Sequence, residues 1–245
     1  MNEYASLIIF DTDGTLIDAR RAVIDAVADG LATTYRHFEL SVPALDRERI
    51  ALAMGLPSGA FFRTAFAPDT VPAEMHDRFA SEFELRSTRA EVAALRGGGS
   101  QLYPEAEATL AALRERGHVL ALFSNATEPY FRTVVQAHRL ERWFSRTLSL
   151  EYAVRNRLAR HKTGMVRHLA RGFAAVAVVG DRIHDMEAGR AIGAQTVGCR
   201  YGFGDPSELE LAHWVIDCLA ELPQLPVTAL PPATSPTSRR EVGRG

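Results

Sequence analysis

Residues 7 to 15 read Leu-Ile-Ile-Phe-Asp-Thr-Asp-Gly-Thr, an apolar run that stops at two carboxylates and a glycine. A run of strand length bounded by turn residues predicts a buried parallel strand whose carboxyl end opens onto a loop. In open α/β sheets that edge is where ligands bind. Asp11 and Asp13 put one carboxylate at the strand end and a second beside it, and Gly14 permits a tight backbone turn. Two carboxylates this close repel unless a cation or a proton separates them.

The same pattern recurs from Pro104 onward. A short apolar run over 119–123 stops at Ser124-Asn125, and another over 174–179 stops at Gly180-Asp181, with Asp185 in the opening turn of the next helix. Weaker strands are predicted over 147–150, 195–199 and 214–216, and helices over 104–116, 127–138 and 163–170. Strands alternating with helices predict an α/β, Rossmann-like core, a doubly wound parallel sheet with helices on both faces.

Spacing adds a second unit. A β-α-β crossover takes roughly 30 residues, yet Asp11 and Ser124, which should end neighbouring strands, lie 113 positions apart (124 − 11). The surplus has helical periodicity over 19–37, 43–56, 58–66 and 72–95, with no alternating strand pattern, and closes on Gly97-Gly98-Gly99-Ser100. The expected organisation is a core of residues 1–18 and 100–222, an inserted all-helical cap of residues 19–99 hinged at 16–18 and 97–100, and a tail without order over 223–245, where Pro, Ser, Thr and Arg replace any apolar period.

Composition narrows the function classes. The 245 residues are 47% apolar and carry a formal charge of −2, which gives no reason to expect nucleic acid or an acidic membrane as partner. Cys199 and Cys218 form no CxxC, so neither a disulfide framework nor structural zinc is expected. No stretch reaches membrane-spanning length and no basic region followed by a long apolar run opens the chain, so a cytoplasmic protein, monomer or homodimer, is expected. Of the 28 Lys and Arg residues one alone is lysine, Lys162, at the start of a predicted helix. An ammonium is a compact point charge where arginine offers a planar fork.

Three strand ends and one helix start thus deliver Asp11, Ser124, Asp181 and Lys162 to one sheet edge, a set suited to a phosphoryl group. A carboxylate can attack phosphorus, and a neighbouring carboxylate can protonate the leaving alkoxide and then deprotonate the water that hydrolyses the acyl phosphate. A hydroxyl and a lysine can hold the equatorial oxygens, and a divalent ion held by oxygen ligands can neutralise carboxylates and phosphate together. A calcium-loop reading of residues 11–14 fails because glycine comes fourth instead of sixth and the twelfth residue is Ala22.

At these residues the chain resembles the haloacid dehalogenase superfamily, in the branch with a helical cap between the first and second motifs. Asp11-Thr12-Asp13-Gly14-Thr15 matches DxDGT, Ser124-Asn125 the second motif, Lys162 the third, and Gly180-Asp181-Arg182-Ile183-His184-Asp185 the GDxxxD form of the fourth. The resemblance implies Asp11 as nucleophile and Asp13 as general acid/base. It implies Mg²⁺ held by Asp11, the backbone carbonyl of Asp13 and Asp181, with Asp185 close by, and phosphate bound by Ser124, Asn125, Lys162 and Thr15. Residues 54–57, 102–105, 187–190 and 201–204 are most similar to phosphoglycolate phosphatases, while Thr12 and Thr163 depart from the usual apolar residue and proline.

The expected function is therefore Mg²⁺-dependent hydrolysis of a small phosphomonoester metabolite. A phosphosugar mutase of the same superfamily and a catalytically silent binding protein on the same fold stay open as alternatives. Arg49 and Arg63, in the cap near Met54-Gly55, are candidate contacts for a substrate carboxylate.

Overall fold

The computed structural model describes residues 6–66 and 68–226, and in it the opening apolar run forms β1 (Ser6–Asp11), buried along its whole length. Next come β2 (Ile17–Asp18), α1 (Arg20–His37), α2 (Arg47–Ala53), α3 (Ser58–Ala65), α4 (His76–Arg96) and β3 (Gln101–Leu102). The strand–helix alternation follows as α5 (Ala106–Glu115), β4 (Val119–Ser124), α6 (Glu128–Ala137), β5 (Arg146–Ser149), α7 (Leu150–Arg155), α8 (Lys162–Leu169), β6 (Ala175–Gly180), α9 (Ile183–Arg190), β7 (Gln195–Cys199) and β8 (Trp214–Ile216).

Six strands form one parallel sheet in the order β5-β4-β1-β6-β7-β8. The chain builds outward from β4 to β5 on one side of β1, then crosses to β6 on the other. The reversal leaves a crevice at the carboxyl end of β1. Asp11 pairs in register with Phe123 and Phe10 with Val179, so β1, β4 and β6 end nearly level. Side chains alternate between the two faces, as the period of two requires. Leu7 and Ile9 join Phe123, Val178, Met165 and Val166 on one side, and Ile8 and Phe10 join Leu122, Val179, Leu110 and Val134 on the other. The second cluster continues without a break into the inserted helices through Val27, Tyr35, Phe79 and Phe83. There α4 packs along α1 and against α6 of the sheet layer.

Local chemistry explains where the elements differ from expectation. The helix expected over 43–56 shortens to α2, which starts where the Asp46 side chain accepts the Arg49 backbone N–H at 2.9 Å. The weak strand expected over 147–150 yields at Ser149, whose hydroxyl accepts the Tyr152 N–H and opens α7, a helix with no counterpart in the sequence reading. The stretch at 97–100 is more than a flexible run. Gly97 and Gly98 close α4, and the chain then pairs β3 antiparallel with β2, tying the exit of the inserted helices to their entry. Of the tail expected to lack order, Pro223 and Gln224 sit in a 3₁₀ turn (Leu219–Gln224) whose Leu219 and Leu222 are buried, and residues from 227 on lie outside the described part. Among the described residues no helix is long and apolar enough to cross a membrane.

Candidate active site

The end of β1 delivers Asp11 into the crevice, where it is buried and stands 2.9 Å from the Nζ of Lys162. Lys162 begins α8 behind His161, whose ring nitrogen accepts the Gly164 N–H and caps the helix. That cap places the ammonium without the proline usual at position 163 in the family pattern. Its Nζ also lies 2.6 Å from Asp185, and its charge sits over the Phe123 ring at 4.9 Å. Burial by itself lowers the basicity of this ammonium. Asp11 and Asp185 override it and hold the pKa above the ordinary lysine value, so Lys162 is charged.

Asp181 follows β6, and Asp185 lies in the first turn of α9, where its carboxylate accepts the Arg182 N–H. Oxygens of Asp11, Asp181 and Asp185 all lie within 4.8 Å of one another. Burial, and next the neighbouring Asp185, push Asp181 up to about 7. For Asp11, burial raises the pKa and Lys162 opposes it, but Asp185 and Asp181 add to the rise, leaving it well above the usual carboxylate range. One ammonium does not balance three buried carboxylates. A trio of hard oxygen donors with surplus negative charge, Asp11, Asp181 and Asp185, fits a divalent cation.

Two glycines keep this cluster tight. Gly14 has φ +80°, and a Cβ there would lie 2.2 Å from an Asp181 oxygen. A Cβ on Gly202 would lie 2.2 Å from that of Asp181, while the next residue, Phe203, donates its N–H to Asp181 at 2.6 Å. The Tyr201 hydroxyl donates to the Thr15 carbonyl, so the loop after β7 braces both the first and the fourth motif.

A cavity of about 70 Å³ lies over Asp11. Its floor is Asp11, Asp13, Ser124, Asn125 and Lys162, and its roof is Val23, Phe61, Phe62 and Glu91 from the inserted helices with Met54 and Leu56 from the segment after α2. The Tyr130 hydroxyl, from the first turn of α6, donates to Asp13 at 2.6 Å. Burial pushes Asp13 up to about 6 against the opposing pull of Tyr130 and Lys162, close to where a group can act as both acid and base near neutrality. Burial, then the Asp13 charge, raises the Tyr130 phenol, which keeps its proton and remains a donor.

Not every candidate residue faces this space. Thr15 is buried with its hydroxyl 3.5 Å from Asp181 and does not line the cavity. Asn125 lines it, but donates its amide to the Gly55 carbonyl of the inserted segment at 2.9 Å. Ser124 lines it too, its Oγ accepting the Ala126 N–H. Arg49 reaches the Phe66 carbonyl and Asp46, Arg63 is exposed, and neither lines the cavity. Conversely, the sequence reading missed Tyr130 and Glu91. Tyr130 carried one usable signal, a hydroxyl in the first turn of the helix opened by Ser124-Asn125. Glu91 carried none, being one of many acidic residues on a charged helix.

A family model described as a haloacid dehalogenase-like hydrolase matches residues 5–193. A phosphoglycolate phosphatase of Agrobacterium fabrum is 30% identical over 224 residues, covering 88% of this chain and 90% of that protein. A 5′-nucleotidase of Pseudomonas aeruginosa is 26% identical, covering 89% of this chain and 92% of its own length. Among solved structures, a haloacid dehalogenase-like hydrolase from Streptococcus pneumoniae superimposes with a TM-score of 0.67 at 19% identity, covering 89% of this chain and 97% of that one, a likeness of fold. With its motif carboxylates, hydroxyl and lysine gathered at the carboxyl end of β1, the chain belongs to the haloacid dehalogenase-like hydrolases.

Proposed function

We propose that this hydrolase is a Mg²⁺-dependent phosphatase that cleaves a small phosphomonoester through an aspartyl-phosphate on Asp11. The observation that carries the reading is the placement of two carboxylates with different partners at one cavity floor. Asp11 lies against the charged Lys162, and Asp13 accepts from Tyr130 while burial pushes it up to about 6. An Asp11 oxygen attacks phosphorus and the P–O bond to the alcohol breaks, while protonated Asp13 gives its proton to the leaving alkoxide. Asp13, now ionised, takes a proton from the water that opens the acyl phosphate, returning both carboxyls to their starting states. Lys162 and the Ser124 hydroxyl hold the equatorial oxygens as charge redistributes. Asp11, the Asp13 carbonyl and Asp181, with Asp185 beside them, would hold Mg²⁺, which would supply positive charge against the phosphate and the carboxylates.

The apolar roof excludes water and limits the size of the alcohol, which favours small phosphorylated metabolites. Relatives are named for phosphoglycolate and for nucleotides, esters that share the phosphate and differ in the alcohol. The test is phosphate release from nitrophenyl phosphate with Mg²⁺ by the native chain and by Asp11→Asn. The amide keeps the carboxylate's shape but cannot form the acyl phosphate, so turnover should fall to background with the circular dichroism unchanged. Activity of the variant within ~10-fold of the parent, a barrier change of only ~1.4 kcal/mol, would remove Asp11 as nucleophile.

A further inference from the structure

Glu91 is a carboxyl of the inserted helix α4, 6% exposed, and it lines the cavity over Asp11. Among the described residues no hydrogen bond or ion pair reaches its carboxyl, whereas Asp11, Asp13 and Asp181 each have a partner. A buried polar group without a partner is expensive, and one facing a ligand cavity is placed to be partnered by the ligand. Around it the roof is apolar, made by Val23, Met54, Leu56, Phe61 and Phe62. The cation that lines the cavity, Lys162, is committed to Asp11 and Asp185 on the floor. A substrate carboxylate entering beyond the phosphate would meet no free positive charge and would face Glu91 and Asp13.

We infer that Glu91 selects the alcohol: the chain hydrolyses phosphomonoesters whose alcohol carries a second hydrogen-bond donor, a hydroxyl or an ammonium, and disfavours those whose alcohol carries a carboxylate. The inference rests on phosphomonoester hydrolysis at Asp11. A hydroxyl can donate to Glu91 when it is ionised and can also accept from it when it is protonated, whereas a substrate carboxylate is repelled by the ionised form and brings a buried charge that the protonated form does not neutralise. The carboxyl is pushed up to about 8 by burial, with Asp13 and Glu84 adding to the rise, so both states lie within reach near neutrality. A site built to hydrogen-bond a substrate group rejects the analogue that leaves its buried polar atoms unpaired.

The experiment measures kcat/KM with Mg²⁺ for glycerol phosphate, phosphoethanolamine and phosphoglycolate, with nitrophenyl phosphate as a control, for the native chain, Glu91→Gln and Glu91→Ala. At least one of the first two should exceed phosphoglycolate by ~10-fold or more in the native chain. In Glu91→Gln, assayed above pH 8 where the native carboxyl is ionised, the amide donates to a carboxylate without opposing its charge, and the phosphoglycolate ratio should rise by ~10-fold, mainly through KM. In Glu91→Ala all discrimination among the three should shrink. Phosphoglycolate as the best native substrate, or an unchanged ratio in both variants, overturns the inference while nitrophenyl phosphate turnover leaves the phosphatase reading standing. No phosphate release from any ester, nitrophenyl phosphate included, overturns the phosphatase reading and this inference with it.

Discussion

A lone lysine in a chain that otherwise writes positive charge as arginine sits against two buried carboxylates. Lys162 is buried between two carboxylates and lies against the Phe123 ring, and its Nζ reaches both oxygens within 3 Å. Lys162→Ala should lower kcat by ~10² to 10³, the loss seen when one well-placed charge-stabilising group leaves a preorganised site. Lys162→Arg should also be impaired, because it keeps the charge and loses the point geometry. A fully active Lys162→Arg in steady-state kinetics would place phosphate neutralisation elsewhere. Residues of this kind were legible because each sits next to a local landmark, a strand end or a helix start. Thr12 shows the limit of that legibility. Its hydroxyl donates to the Phe123 carbonyl at 2.9 Å, a long-range contact that satisfies a buried polar group where the family pattern has an apolar one.

Two core residues hold consecutive carbonyls of the segment that follows α2. The Arg182 guanidinium donates to Met54 and the Asn125 amide to Gly55, while Glu208 holds Arg182 in place through its Nε at 2.9 Å. The segment forms part of the cavity roof, so these bonds tie the roof to the second and fourth motifs. A charge-assisted hydrogen bond contributes ~1.5 to 3 kcal/mol, enough to shift a closing equilibrium by tenfold or more. Arg182→Ala should therefore raise KM for a small ester by ~10-fold and speed proteolytic cleavage near residues 54–57, with Mg²⁺ dependence retained. An unchanged KM and cleavage rate would make the contact incidental. The strands and most helices were readable from apolar period alone, since β1, β4 and β6 are short, buried and end on turn residues. The β2–β3 pairing and α7 were not. Two-residue strands carry no period, and α7 depends on a single serine cap.

At the scale of the whole molecule the site draws on stability, and Glu91 makes the draw measurable. Its pKa of about 8 in the folded chain compares with 4.5 for an unperturbed glutamate, through burial first and then Asp13 and Glu84. Between those values the folded state keeps a proton that the unfolded state has released, so the native form binds more protons and its stability falls as pH rises through the window. Glutamine does not titrate, fills the same space and removes that dependence. The Tm of Glu91→Gln should therefore be close to the parent's at pH 5 and exceed it increasingly toward pH 8. About 1 kcal/mol moves Tm by ~2 to 4 °C in a chain of this size, so several kcal/mol of linkage should widen the gap by ~5 °C or more. The same substitution is expected to spoil selection of the alcohol, which sets the direction of the trade: the native residue is kept at a cost to the fold because the substrate completes its hydrogen bonding. A Tm gap constant from pH 5 to pH 8 by calorimetry would mean that Glu91 is ionised and solvated in the folded protein, and would break the link between its burial and its role.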